Sequence, residues 1–329
     1  MAALFDRVPG GRFAHCLVAI LATFAASHVL AQSKVSIVVP AEAGTGPDLI
    51  ARVISGELTT LLQQPVIVEN KPGAGGSLGT LEVIRAKADG NTLLMAPIAT
   101  LAVTPLLYPS AKYDVATDLE AVGLVSGGPM MFVSTPATGL KSLQDVLALA
   151  RTSPGEITIS TTSPRGSLPH LSLVILGMQA GVNFRHVVPA TNSSQAVQML
   201  VAGDAQVAVG SVSALSPLLK SGRLTTLAMT GDEPLPGMKD IPLVREAVPG
   251  FPSVRGSVYV FAPKGTPAAR LLKLNEAVNA ALKTPAVLRG LESIANQPVG
   301  GSIDQTRTEF VRERAMWVEA ARNADMQHK

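Results

Sequence analysis

Ser77 lies in residues 75–79 (GGSLG), which match the G-x-S-x-G pattern of a nucleophile elbow. A true elbow places its serine directly on a sharp turn between strand and helix. Here a loop of roughly seven residues separates Ser77 from a predicted strand that ends near Glu69. Two histidines, His170 and His186, follow later in the chain and could supply the base. The motif therefore leaves a serine hydrolase as one alternative, with Ser77 as the nucleophile.

The chain does not match the other catalytic and cofactor motifs. The glycine cluster has Leu78 where a dinucleotide fingerprint requires its third glycine. The sequence has no P-loop and no H-E-x-x-H, and the histidines beyond residue 31 lack metal-ligand spacing. Cys16 is the only cysteine, and it lies near the N-terminus. We therefore expect a protein that is not an enzyme and that uses neither a metal nor a cofactor.

The first 31 residues are typical of a secretory signal peptide. Arg7 and Arg12 form a basic segment, residues 17–26 (LVAILATFAA) an apolar one, and residues 29–31 (VLA) a cleavage site. The apolar stretch is shorter than the roughly 20 residues of a membrane-spanning helix, although an uncleaved anchor is an alternative. We predict a signal peptide over residues 1–31 and a location in the periplasm.

Composition indicates a folded chain long enough for two domains. Hydrophobic residues make up 47% and charged residues 16% of the 329 residues. The formal charge is +3, but no run of Lys or Arg forms a basic stripe. We therefore expect no nucleic-acid partner.

Strands and helices are predicted to alternate along the chain. The β-branched run at 35–40 predicts a buried strand, and Asp48 opens an apolar-periodic helix that extends to Leu62. Further strands are predicted at 66–69, 92–96, 121–125, 130–134, 158–162, 184–189, 205–209, 224–229 and 257–262. Further helices are predicted at 78–88, 143–151, from 170 onward, and at 194–202, 268–283, 285–295 and 303–324. This alternation is typical of an α/β fold with helix-covered parallel sheets.

Four loops follow a predicted strand and precede a helix: 41–47, 70–76, 163–169 and 190–194. In open α/β sheets, ligands bind at the carboxyl ends of the strands, where helix N-termini present free N–H groups. All four loops are rich in Gly, Ser, Thr, Asn or Pro, so their main chain can approach an anion closely. The same residues are also common in ordinary turns. The loops predict an anion-binding site. The alternative is that their small and polar residues serve only to form turns.

Asp48 and Arg165 are the charged residues of interest in these loops. Asp48 has the residue type of a helix N-cap, and its carboxylate could instead bind an ammonium or hydroxyl group of a ligand. Arg165 lies among small residues and is either an exposed surface side chain or a bidentate clamp for a carboxylate.

Taken together, these loops resemble those of the substrate-binding receptors of tripartite tricarboxylate transporters, also called Bug-type receptors. The most specific stretch is 64–76 (QPVIVENKPGAGG), followed by 89–95 (DGNTLLM). Residues 261–267 (FAPKGTP) and 298–301 (PVGG), with Trp317, continue the resemblance in the same order. It extends from about Val35 to Trp317.

The resemblance implies a two-lobed periplasmic-binding-protein fold of type II (Venus flytrap), with two strands crossing between α/β lobes. Residues 32–132 and 256–329 form the expected first lobe, and 133–255 the second. It also implies a monomer that captures a small organic acid, a carboxylate, for the membrane subunits of a tripartite transporter. A periplasmic sensing subunit that delivers its ligand-bound state to a signalling protein is an alternative with the same fold.

The resemblance and the loop pattern together predict the ligand-binding residues. They are Ala43, Gly44, Thr45, Gly46, Asp48, Ala99, Thr100, Thr161, Thr162, Arg165, Gly166, Ser167, His170, Thr191, Asn192 and Ser211. The sequence departs from the family pattern at 41–48, where P-P-G-G-x-x-D is usual, at Ala190 in place of an aromatic residue, and at Leu101 in place of a histidine. These departures leave the identity of the ligand open.

Overall fold

The computed structural model describes residues 34–108, 111–162, 166–187, 193–219 and 221–324. The predicted signal peptide and the predicted site residues Arg165, Thr191 and Asn192 lie outside these ranges. Within them, no helix combines the length and apolar character needed to cross a membrane.

The first half of the chain builds a parallel sheet of three strands. The strands are β1 (Val35–Val39), β2 (Val66–Asn70) and β3 (Thr92–Pro97), in the order β2-β1-β3. Every residue of β1 is buried because helices cover its sheet, which explains its unbroken β-branched sequence. Helices α1 (Gly46–Leu62) and α2 (Ser77–Ile84) provide the crossovers.

A second parallel sheet follows, with the strand order β7-β5-β6. Its strands are β5 (Thr158–Thr161), β6 (Arg185–Val187) and β7 (Val207–Ser211). Helices α5 (Leu143–Thr152), α6 (Leu168–Ala180), α7 (Ser193–Ala202) and α8 (Val212–Leu219) belong to this part of the chain. Helix α8 is not among the helices predicted from the sequence.

A single long strand, β4 (Leu119–Ser134), joins the two sheets. Its first part pairs with β9 (Arg255–Pro263), and its last residues pair with β7 and with β8 (Thr225–Met229). The prediction of two separate strands, 121–125 and 130–134, is wrong. The Gly-Gly-Pro sequence at 127–129 does not break the strand, because it pairs with residues 255–257 of β9.

We call residues 126–130 of β4 and 255–258 of β9 the crossing segment, because β4 changes its partner strands there. The predicted lobe boundaries, at 132/133 and 255/256, fall next to this change. The precise division of the chain into lobes stays a prediction.

Three helices complete the chain: α10 (Ala268–Ala281), α11 (Pro285–Ser293) and α12 (Ile303–Asn323). Short elements are α3 (Thr104–Leu107), α4 (Val115–Asp118), α9 (Val244–Ala247) and β10 (Gln297–Pro298), the last paired with β4. Helix α12 contacts β4 and α6, and its Phe310 ring lies 5.2 Å from that of Phe261 in β9, centroid to centroid. A long C-terminal helix therefore packs over the junction of the two sheets.

Candidate functional site

The carboxyl ends of the parallel strands in both sheets lie at the crossing segment. Strand β3 ends at Pro97, which pairs with Val258 of β9, and β7 ends at Ser211, which pairs with Met130 of β4. Strands β1 and β5 run parallel to β3 and β7, respectively, so their carboxyl ends lie at the same edges. The loops that follow these strands are therefore brought to the two sides of one short segment, as at the ligand crevice of an open α/β sheet.

The loop after β1 is held by the buried carboxylate of Asp48. Its Oδ2 accepts the Gly44 N–H at 2.7 Å, and its Oδ1 accepts the Asn70 side-chain amide at 3.0 Å. The Arg52 guanidinium donates to both oxygens at 3.0 Å. Asn70 also donates to the Ala41 carbonyl oxygen at 3.2 Å. Asp48 thus fastens the loop to helix α1 and to the end of β2.

Asp48 is not the N-cap of α1, so that interpretation of the sequence is wrong. The helix begins two residues earlier, at Gly46, with Thr45 as its N-cap and Pro47 in its first turn, where proline is favoured. Burial alone would raise the pKa of Asp48, but hydrogen bonds from Arg52, Gly44 and Asn70 lower it to about 2. The carboxylate is therefore ionised at neutral pH, with both oxygens bound inside the protein.

The loops after β1, β2 and β3 are in direct contact. Gly76 has a φ of +93°, and a Cβ added to it would lie 2.6 Å from Thr100 Cγ2 and 3.0 Å from the Pro40 carbonyl oxygen. Thr104 donates its hydroxyl to the Gly75 carbonyl oxygen at 2.9 Å. The absence of a side chain at Gly76 is what lets the three loops meet.

Thr100 lies in a π-helical turn (Ala99–Val103) directly after β3. Its carbonyl oxygen accepts the Tyr113 hydroxyl at 2.8 Å, and burial raises the pKa of Tyr113 to about 12. Ala99 is half-buried and Thr100 is buried. In the loop after β1, Ala43, Gly44 and Gly46 are exposed and Thr45 is half-buried, so their main chain is open to solvent.

Ser77 is unsuited to be a nucleophile. Its side chain is fully buried, and its hydroxyl donates to the Ala74 carbonyl oxygen at 2.6 Å and also hydrogen-bonds Tyr113. His170 lies on α6, where its Nδ1 accepts the Gly166 N–H at 3.2 Å. The side chain of His186 lies outside the described part of the chain. A hydroxyl without access to solvent cannot attack a substrate, so the hydrolase interpretation is wrong.

In the second sheet, Thr161 ends β5 and Thr162 follows it, and both are buried. A Cβ added to Gly210 would lie 2.5 Å from Thr162 Cγ2 and 2.6 Å from its Oγ1, so the absence of a side chain lets β7 approach the threonine. Ser211, half-buried, accepts the Ala214 N–H at 3.3 Å, and its Oγ lies 3.0 Å from that of Ser213. Ser211 thereby contributes to the start of α8.

The N-terminus of α6 lies against the crossing segment. A Cβ on Gly256 would be 3.2 Å from Leu168 Cδ1 and 3.6 Å from Met130 Cε. The first turn of α6 therefore lies next to both strands of the crossing segment, β4 and β9. Ser167 is the N-cap of α6, yet within the described residues its buried Oγ has no hydrogen-bond partner. This leaves the N–H groups of the first turn without the usual side-chain cap.

The structure thus brings the described site residues to the two sides of the crossing segment. Sequence reasoning missed Arg52 and Asn70, which hold Asp48, and Tyr113, which holds the turn at Thr100. The four-residue spacing of Asp48 and Arg52 on a helix was an available signal for the first of these. Among the described residues, no group of three or more His, Cys, Asp or Glu side chains could hold a metal ion.

Comparison with known proteins agrees with this architecture. Residues 50–320 match the family model described as tripartite tricarboxylate transporter family receptor. The chain belongs to this family. Protein BugT of Bordetella pertussis is 32% identical over 291 residues, which cover 88% of this chain and 88% of BugT.

Solved structures share the fold over most of the chain. A Rhodopseudomonas palustris protein in complex with adipate is 28% identical, with a TM-score of 0.71 over 89% of this chain and 98% of that one. MatC of the same organism, with bound malate, is 27% identical, with a TM-score of 0.68 over 87% of this chain and 98% of that one. The protein therefore has the two-lobed α/β fold of the periplasmic binding proteins, and it is a solute-binding protein of this receptor family, not an enzyme.

The Asp48 cluster predicts a specific dependence of stability on pH. Because the pKa of Asp48 falls from its ordinary value of 3.8 to about 2 on folding, its stabilising effect is present above pH 3.8 and is lost as the pH falls toward 2. Asp48→Asn should therefore lower the free energy of unfolding by about 1–2 kcal/mol near neutral pH, allowing for solvent screening at the half-exposed Arg52. The difference from wild type should shrink in acid.

Urea unfolding at several pH values measures this difference. Asp304→Asn is the matched control, since the Asp304 side chain is 91% exposed, and it should have little effect at any pH. A loss in Asp48→Asn that stays constant from neutral pH into acid would contradict the assigned role of the carboxylate.

The contact of the three loops at Gly76 gives a second prediction. Gly76→Ala should destabilise the protein by about 1–3 kcal/mol, since the methyl group overlaps Thr100 and Pro40 at a positive φ. Thr100→Ser removes the overlapping Cγ2 and should restore part of the loss in the double variant. Gly139→Ala is the control, because Gly139 has a φ of +71° and no atom within 4 Å of the added Cβ. It measures the destabilisation that comes from the positive φ without a steric overlap. Equal losses for Gly76→Ala and Gly139→Ala, measured by thermal unfolding, would argue against the close approach.

Proposed function

We propose that this protein is a periplasmic receptor that captures a small organic acid between its two lobes and delivers it to the membrane subunits of a tripartite tricarboxylate-type transporter. Export depends on the signal peptide predicted over residues 1–31. The lobes of this proposal are 32–132 with 256–329, and 133–255. The receptor acts as a monomer, without a cofactor.

The observation that carries the proposal is the convergence of strand ends at the crossing segment. Pro97 of β3 and Ser211 of β7 pair with Val258 and Met130, so loops from both sheets border the same cleft. A ligand bound there contacts both lobes at once and stabilises their closure. Binding at the exposed edge of a single lobe would not have this consequence.

The chemistry of the loops favours an anion. The helix N-termini at Gly46 and Leu168 present main-chain N–H groups and the positive ends of their helix dipoles. The uncapped N–H groups after Ser167 are available to donate to a carboxylate. Two structural relatives contain malate and adipate, which are both dicarboxylates. In such a ligand, one carboxylate can bind the N-terminus of α1 in the first lobe while the other binds the N-terminus of α6 in the second lobe.

Within this proposal, the predicted ligand-binding residues have distinct roles. The main chain of Ala43, Gly46 and Ser167 supplies N–H donors, whereas the N–H groups of Gly44 and Gly166 are bound to Asp48 and His170. The loops that contain Thr100, Thr162 and Ser211 form the walls of the proposed cleft. Asp48 holds the first loop in position through Gly44 and Asn70. Arg165, Thr191 and Asn192, outside the described residues, stay predictions as direct contacts. Closure excludes water and strengthens the hydrogen bonds to the carboxylates.

Calorimetry on ligand-stripped protein tests the proposal. Malate, adipate and other small acids are titrated beside the diamides of the same acids, which keep the shape and lack the charge. At least one acid should bind at least tenfold more tightly than its diamide, a difference of about 1.4 kcal/mol. Failure of every acid to bind, or equal affinity for acid and diamide, would exclude the proposed carboxylate receptor.

A variant pair localises the site in the same experiment. Ala99→Trp places a large side chain in the turn after β3 and should abolish binding. Ala148→Trp places the same side chain on the exposed face of α5 and should leave binding unchanged. Thermal unfolding of both variants checks that the first remains folded. Full binding by a folded Ala99→Trp variant would place the ligand elsewhere.

A further inference from the structure

Arg255 occupies the crossing segment without being part of the predicted ligand site. It is the first residue of β9 and pairs with Pro129 of β4. Its side chain is only 20% exposed, which is low for an arginine so close to a junction between lobes. A Cβ on Gly127 would lie 2.6 Å from Arg255 Cδ. The arginine stem therefore lies across the neighbouring crossing strand, and the absence of a side chain at Gly127 makes this possible.

On one side, Arg255 is bound to the C-terminal helix α12. Its Nη2 donates to Glu309 Oε1 at 2.8 Å, and its Nε donates to Glu313 Oε1 at 3.4 Å. Glu313 is fully buried and also accepts the hydroxyl groups of Ser257 at 2.7 Å and Tyr259 at 3.0 Å. Arg255, Ser257 and Tyr259 alternate along β9, so one face of this strand provides three donors for the buried carboxylate.

On its other side, Arg255 approaches Asp232, which follows β8 in the second sheet. Its Nη1 lies 3.8 Å from Asp232 Oδ2. Asp232 is held in place by the Ser253 hydroxyl and by the Arg245 guanidinium. The Arg255 guanidinium therefore connects α12 to the loop after β8, across the strands β4 and β9 of the crossing segment.

Open space surrounds this connection. A cavity of about 390 Å³ lies between Gly127, Gly231 and Gln297, and another of about 920 Å³ lies between Ser253 and Asp304. Both are lined by Arg255 and Asp232. At these openings the parts of the chain on the two sides of Arg255 are not packed against each other, and the ion pairs of Arg255 bridge them.

We propose that Arg255 is a positioning residue of the hinge, which joins α12 to Asp232 and limits the range of lobe orientations, thereby setting solute affinity without contacting the solute. This inference depends on the proposed function as a solute-binding receptor. Without the connection, a smaller fraction of molecules has the binding-competent orientation. The apparent dissociation constant is the intrinsic one divided by that fraction. It therefore rises by the same factor for every ligand.

Asp232→Asn is the principal test, because it leaves the bonds from Arg255 to Glu309 and Glu313 intact and weakens the link to Arg255, together with the ion pair between Asp232 and Arg245. Calorimetry with malate and adipate should give a dissociation constant raised by about three- to tenfold, by the same factor for each acid that binds. Arg255→Gln should have the same uniform effect, with an added loss of stability because the buried Glu313 loses its cationic partner and keeps only the hydroxyl groups of Ser257 and Tyr259. The double variant should bind no more weakly than Arg255→Gln alone.

Arg314→Gln is the matched control. Arg314 also lies on α12 and is paired, to Asp114 at 2.9 Å, but neither residue belongs to the crossing segment or pairs with Arg255 or Asp232. Its loss should leave the dissociation constants unchanged. Unchanged affinity in Asp232→Asn, or a change that differs between ligands, would overturn the role assigned to Arg255.

A measurement without ligand separates this inference from the proposed function. Spin labels are attached after Thr60→Cys in α1 and Gln144→Cys in α5, both exposed. The only native cysteine, Cys16, lies in the predicted signal peptide and is absent from the protein without residues 1–31. The distance distribution between the labels should broaden in Asp232→Asn and stay unchanged in Arg314→Gln. An unchanged distribution in Asp232→Asn would refute the hinge role, whereas failure of the wild type to bind any acid would refute the proposed function alone.

Discussion

The candidate site depends on one constraint, which is that the parallel strands of two sheets end at the same crossing segment. Parallel strands place their following loops at one edge, and β4 belongs to both sheets, so the edges face each other. Each loop then leads into a helix whose first N–H groups lack partners in the helix. A site for an anion arises from the main chain of these loops, and side chains are needed chiefly to hold the loops in position.

Buried polar side chains perform that task in the first lobe. Asp48 is ionised and buried, which is costly unless every oxygen is satisfied, and Arg52, Asn70 and the Gly44 N–H satisfy it. Tyr113 and Thr104 hold the neighbouring turns in the same way. Removing one partner from such a cluster leaves another buried and unpaired. The geometry of the binding loops is therefore coupled to the stability of the lobe.

Much of the fold could be predicted because local patterns carry it. The β-branched run predicts strand β1 and the apolar periodicity predicts helix α1, and neither prediction requires residues that are distant in sequence. The continuity of β4 could not be predicted, since residues 127–129 have the composition of a turn and are kept extended only by their pairing with β9. The sequence predicts that α1 starts at Asp48, because Gly46 and Pro47 are residue types that are common in loops. The helix in fact starts at Gly46. Pairs such as Asp48 with Asn70 depend on strands being adjacent, which no local pattern contains.

The interior face of α12 illustrates the same limit. The apolar pattern of the sequence predicts Phe310, Val311, Ala315, Val318 and Ala321 on one face, with Trp317 beside them. In the structure Val311 is 58% exposed and the charged Glu313 is fully buried. The large rings of Phe310 and Trp317 set the buried face, and Glu313 tolerates burial because three side chains of β9 donate to it. Those donors lie more than fifty residues away in the sequence, so only the fold brings them together.

The most direct measurement is a crystal structure of the protein with a small dicarboxylate bound. We predict the ligand at the crossing segment, with one carboxylate near the main-chain N–H groups of Ala43 and Gly46 and the other near the first turn of α6. Asp48 should keep its bonds to Arg52 and Asn70. A ligand bound only in the cavities around Arg255, or on the outer face of one lobe, would contradict this prediction.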